Sequence, residues 1–155
     1  MMQPNAASMT NQRLDVARRF IRQMQDKSEQ WMGAAYENAA LFHLNSALNG
    51  LYQEVTQIHQ LGAVISLDVL LQAADKKGVV IPVLSELKSL QSDSNSWLKQ
   101  LDLAYQVSFE CRPKASIVQS STMIVQDNGG AGATQFYLNS LTDLVLRFRE
   151  DSAEY

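Results

Sequence analysis

The residues best suited to chemistry fall in one stretch, "YENAALFHLNSALNGLYQEVTQIHQL", from Tyr36 to Leu61. It carries two histidines, three asparagines and two glutamates among leucines. Imidazoles and carboxylates at helical spacing can hold a metal or move a proton. At 100° per residue, Leu41, Leu44, Leu48, Leu51, Val55 and Ile58 form a seam, and the polar residues flank it. Asn45, Asn49, Tyr52 and His59 fall on one flank; Tyr36, His43, Ala47, Gly50 and Glu54 fall on the other. The two imidazoles are therefore about 160° apart and cannot share an ion on this helix. His43 and Glu54 share a flank but stand about 16 Å apart along the axis.

A carboxylate-bridged di-metal bundle needs Glu-x-x-His on two helices, and no glutamate stands three residues before either histidine. His-Glu-x-x-His is absent as well. The expectation is no metal, no cofactor and no catalytic set. What remains is a candidate polar site of Glu37, His43, Tyr36 and Glu54. Glu37 lies in the leucine register, four residues before Leu41. It either benefits from a helix N-terminus or forms a buried ion pair with an arginine of the preceding helix. Ala40, Ala47 and Gly50 let a neighbouring helix come close, from this chain or from a second copy.

Arg13, Arg18, Arg19 and Arg22 make a candidate basic face. The first thirty residues carry five basic against three acidic groups, +2, which leaves −5 for the rest of a chain at −3. Such a face is ordinarily solvated or paired within the molecule; weak RNA binding is the alternative. The arginine-before-histidine arrangement of small helical ribonucleases is missing, since positions 36–39 and 52–55 hold no arginine. "GGAGAT" lacks the lysine of a phosphate loop and reads as a flexible segment. The single cysteine, Cys111, excludes an internal disulfide, suits a reducing compartment and reads as a half-buried helix end.

Helices must position these groups. Leu14, Ala17, Ile21 and Met24, continued by Ser28 and Trp31, mark a first amphipathic helix after a disordered segment over 1–10. The second helix runs from after Gly33 to near Gly62. Ser66 caps a short third, Gly78 stops it, and Pro82 opens a fourth. "WLKQLDLAYQVSF" is a fifth, ended by Arg112-Pro113. Residues 113–133 read as a flexible loop with a broken helix or short extended pieces at Ile117, Val118, Ile124 and Val125. A last helix starts about Thr134, with Leu138, Leu141, Val145 and Phe148 on one face.

A chain of 155 residues with 46% hydrophobic and 19% charged content fits one globular domain, 11–155. The expectation is an all-α, mostly antiparallel bundle of four to six helices with two long central helices. "MMQPNAASMTNQRLD" has no apolar core of a signal peptide, and no apolar run reaches a membrane span, so the expected location is cytoplasmic.

Three fragments, "ENAALFHLNSALNGLYQEV", "SNSWLKQLDLAYQVSF" and "LTDLVLRFREDSAEY", resemble a small family of uncharacterised helical proteins from Gram-negative bacteria. The resemblance implies a soluble helical domain of unknown function and brings no catalytic residues with it. The functional expectation is a non-enzymatic interaction protein, an adaptor or self-associating bundle with a protein partner or a second copy as a homodimer. The alternatives are an enzyme or ligand-binding bundle near Glu37 and His43, and RNA binding through the arginine face.

Overall fold

The computed structural model describes residues 5–26, 30–62, 66–113 and 130–153. They form six helices: α1 (Ala6–Gln25), α2 (Gln30–His59), α3 (Leu67–Lys76), α4 (Pro82–Ser92), α5 (Trp97–Phe109) and α6 (Gly130–Ala153). Among the described residues there is no strand.

α1 begins earlier than its apolar stripe suggested. The Asn5 side chain accepts the Ser8 amide at 2.8 Å, and Ala6 and Thr10 are buried. Residues 6–10 are thus helical rather than disordered, because a capping asparagine and a small-residue face suffice to dock this end. Leu14, Ala17, Ile21 and Met24 are buried as the spacing required. The stripe does not continue to Trp31, which belongs to α2 and is 68% exposed. Helical phase is lost once α1 stops at Gln25.

In α2 the seam from Leu41 to Val55 is buried, whereas Ile58, in its last turn, is 48% exposed. The helix is closed by Gln60 in the left-handed region (φ 55°), with the Leu61 amide reaching back to the Thr56 carbonyl at 3.1 Å. Lys77 Nζ then donates to the His59 and Gln60 carbonyls at 3.0 and 2.6 Å. A cation at a helix C-terminus satisfies carbonyls that have no partner within the helix.

Ser66 stands at the cap position of α3 without a side-chain cap bond, and Gly78 ends that turn at φ 69°. Pro82 occupies the first turn of α4. The Ser96 hydroxyl caps α5 through the Lys99 amide at 3.1 Å. α5 ends before Pro113 is reached: Cys111 adopts φ 55° and the Arg112 amide returns to the Val107 carbonyl at 3.0 Å. Cys111 is exposed, not half-buried, because this left-handed turn carries the chain away from the core. α6 starts at Gly130, four residues before the expected Thr134, so the end of the glycine-rich stretch is helical. Ile117, Val118, Ile124 and Val125 lie outside the described residues.

The helices form an all-α bundle in which α2 touches α1, α3, α5 and α6. α1 and α2 make an antiparallel hairpin. The Ser108 hydroxyl donates to Asn38 at 2.6 Å, which sets the end of α5 beside the start of α2 and makes that pair antiparallel too. Gly130 lies by Glu37 and Arg149 by Glu54, so α2 and α6 run parallel. This is the diagonal relation of an up-down-up-down bundle. α3 and α4 form an excursion between its second and third members.

The small-residue flank of α2 is filled by α1 of the same chain. Ala40 and Ala47 are fully buried, and a Cβ on Gly50 would stand 2.4 Å from Thr10 Oγ1 and 3.2 Å from Thr10 Cα. Alanine in a helix is worth about 1 kcal/mol over glycine. Here overpacking against a backbone atom costs roughly 1–3 kcal/mol and outweighs it. Gly50→Ala is therefore expected to lower the urea midpoint of unfolding; an unchanged or higher midpoint would show that α1 yields without cost.

Candidate functional site

The four residues of the candidate polar site divide into two groups. Glu37 and Glu54 are buried in α2, 7% and 4% exposed, and both turn towards α6. Glu37 Oε1 accepts the Gly130 amide at 3.2 Å. Gly130 is the first residue of α6, where unpaired amides and the helix dipole favour a negative charge. Glu54 receives Arg149 Nε at 2.8 Å and Nη2 at 3.3 Å, a two-pronged pair. The same guanidinium donates to Asn11 Oδ1 at 2.8 Å and to the Ala7 carbonyl at 3.2 Å, so one arginine joins α6, α2 and α1.

For Glu37 the sequence leaves two readings open, a helix N-terminus or a buried pair with an arginine of the first helix; the structure sets it at a helix N-terminus, that of α6. A buried glutamate–arginine pair is found at Glu54, with an arginine of the last helix. No spacing rule could have found it, since 95 residues separate the partners. The residue missed was Arg149, which the sequence shows only as part of a charged helix end.

Tyr36 and His43 lie on the α1 side of α2 and meet Phe20. The Phe20 ring stacks on His43 with centroids 5.7 Å apart and planes 13° from parallel, and Tyr36 sits 6.0 Å from Phe20. Phe42 meets His43 edge-on at 5.2 Å. Arg13 Nη1 lies 3.4 Å from His43 Nδ1. A guanidinium can only donate, so Nδ1 is the acceptor and the proton of the neutral ring is on Nε2. Burial, then the Arg13 charge, push the His43 pKa below its ordinary 6.5. His59 moves the same way, through burial and then Lys77. Neither ring lies in a group of three or more metal-ligating side chains among the described residues. Tyr52 is pushed up to about 12 by burial and by Asp102 and Asp68, so it stays a neutral phenol.

Of the basic face, Arg18 and Arg19 both approach Asp15, at 3.6 and 3.0 Å. Arg13 turns to His43, and Arg22 is exposed. The four arginines therefore do not form one uncompensated patch.

With both its carboxylates buried and its imidazoles neutral, α2 presents an uncharged side to solvent. Trp31 and Phe42 stand on it, 68% and 51% exposed. Trp31, Ala35, Asn38 and Phe42 fall within about 60° of one another around the axis. Phe109, at the end of α5 and 75% exposed, adjoins through the Ser108–Asn38 bond. Among the described residues no helix is long and apolar enough to cross a membrane.

Two outcomes follow from this geometry. Arg149→Ala leaves the Glu54 carboxylate buried and unanswered. It should cost roughly 2–3 kcal/mol in chemical denaturation, below the full penalty for a buried orphan charge because Arg149 is partly solvated. For His43, the folded state prefers the neutral ring, so between the folded and ordinary values the unfolded chain binds more protons. Its contribution is complete above pH 6.5 and fades as pH falls through the lower folded value. His43→Gln should flatten the acid limb of the stability profile, and the imidazole should titrate by NMR below 6.5. A midpoint above that value would contradict the arrangement with Arg13.

The chain belongs to the family of unknown function DUF6586, whose model matches residues 1–155. No curated protein and no solved structure matches it.

Proposed function

We propose that this protein acts by association rather than catalysis, and that the uncharged side of α2 pairs with the same side of a second copy. The observation that carries this reading is the absence of exposed charge on α2 together with exposed Trp31 and Phe42. Protein surfaces are commonly about a quarter to a third charged, whereas the centres of interfaces are depleted in charge and enriched in aromatics.

The occupant follows from the symmetry of the stripe. Trp31, Ala35, Asn38 and Phe42 are spaced four, three and four apart, large–small–small–large. A two-fold axis between positions 36 and 37 exchanges Trp31 with Phe42 and Ala35 with Asn38. Each copy then sets its aromatics at the ends of the other's stripe while the small residues meet at the crossing. A charged face would meet its own charges across such an axis; this one has none to repel. The stripe is only about 16 Å long, so the contact belongs with the smaller and weaker interfaces.

The same reading includes a cytoplasmic, bacterial setting, in keeping with an exposed lone thiol at Cys111. An enzyme at Glu37 and His43 is less well supported, because Glu37 is engaged with the start of α6 while His43 lies among aromatic rings. RNA binding is weakened by the pairing of Arg18 and Arg19 with Asp15.

Sedimentation equilibrium across the micromolar range should reveal a monomer–dimer equilibrium. Phe42→Glu, at an exposed helix position, should shift it to monomer while leaving the circular dichroism spectrum intact. A wild-type chain that stays monomeric at every concentration refutes the reading, as does a variant that dimerises as well as the parent.

A further inference from the structure

We propose that the groove between α1 and α2, beyond the aromatic stripe, binds an extended peptide segment that bears a carboxylate. The groove has a volume of about 360 Å³. Its α1 wall is Met9 and Arg13, and its α2 wall is Ser46, Asn49, Gln53 and Gln57. Gly50 lies in its floor, at the close approach of α1.

Three features point to that ligand. First, Arg13 is a cation without an anion. Its polar contact is the neutral His43 ring, and no carboxylate among the described residues pairs with it. Asp15, the nearest acid in sequence, is taken up by Arg18 and Arg19. A guanidinium with open donors recognises a carboxylate through two parallel bonds.

Second, Asn49, Gln53 and Gln57 stand one helical turn apart on one wall and form no hydrogen bond within the described protein. A carboxamide both donates and accepts, as a peptide unit does, so a row of them can pair with successive main-chain amides. Being uncharged, they select no side chain of either sign.

Third, the dimensions agree. From Ser46 to Gln57 the wall is about 16 Å long, the span of roughly five extended residues. Met9, 37% exposed, offers an adaptable apolar surface opposite the amides. The groove lining ends at Arg13 and Ser46, so the segment ends there too and the carboxylate is its own chain terminus.

This site lies past Phe42 on α2 and does not depend on the proposed pairing of two copies. The probe is acetyl-hexa-alanine with a free terminal carboxylate, titrated to millimolar concentration into 15N-labelled full chain. A parallel titration uses the analogue with an amidated terminus. The side-chain amide signals of Asn49, Gln53 and Gln57 should shift with the free-terminus peptide. Arg13→Gln should weaken its binding about tenfold, the loss of one charge-assisted pair. The analogue should bind the wild type as weakly as the free-terminus peptide binds that variant. A folded Asn49→Ala/Gln53→Ala/Gln57→Ala chain should also lose binding, which separates the amide row from simple charge attraction. No shift at the three amides overturns the proposal. So do shifts centred on Arg18, Arg19 and Arg22, and affinity that survives Arg13→Gln.

Discussion

Two carboxylates are buried on the central helix, and the rest of the bundle is arranged to answer them. An ionised glutamate removed from water is costly unless a partner compensates it. Glu37 and Glu54 are about 26 Å apart along α2, and the α6 groups that answer them, Gly130 and Arg149, are about 28 Å apart along theirs. The two parallel helices are thus held in one register at both ends. Leucine seams alone would tolerate a slip of one turn, since Leu41, Leu44, Leu48 and Leu51 repeat one apolar side chain at helical spacing in the core they share with Leu138, Leu141 and Val145. A one-turn slip would leave each carboxylate without its partner. Buried polar pairs that select one arrangement in this way contribute specificity as much as stability.

The same placement of charge shapes the outer surface. α2 spends its only acidic residues inward, and its histidines are held neutral by burial and by the cations Arg13 and Lys77. The side left to solvent is apolar or amide-rich over the full length of a 30-residue helix. Its first half carries aromatics and its second half carries carboxamides beside Arg13. One helix therefore organises the core on one side and offers two chemically distinct surfaces on the other.

Much of the helix layout was legible because apolar periodicity and capping chemistry are local. The segment from Trp97 to Phe109 is marked as α5 by its apolar spacing, although it stops short of Arg112-Pro113, and Pro82 opens α4 as its geometry requires. Sequence and structure part where a local signal competes with a distant one. Trp31 continued the α1 stripe in number but not in space, because the turn after Gln25 resets the phase. Glycine disfavours helix, so the local sequence places Gly130 in a loop, yet the Glu37 carboxylate receives its amide at the start of α6. Asn5 and Thr10 looked like part of a polar lead-in, although Thr10 is fully buried where α1 meets Gly50.

The sequence by itself determined an all-helical chain, the leucine seam that faces inward and the angular separation of His43 from His59, because each depends only on the 3.6-residue period. It also excluded the familiar metal and phosphate motifs by spacing. Tertiary structure decided which helix answers each buried carboxylate, which arginines of α1 meet an acid among the described residues, and which small-residue flank is already filled. Those outcomes depend on contacts between residues up to 142 positions apart, and no local periodicity encodes a distance of that kind.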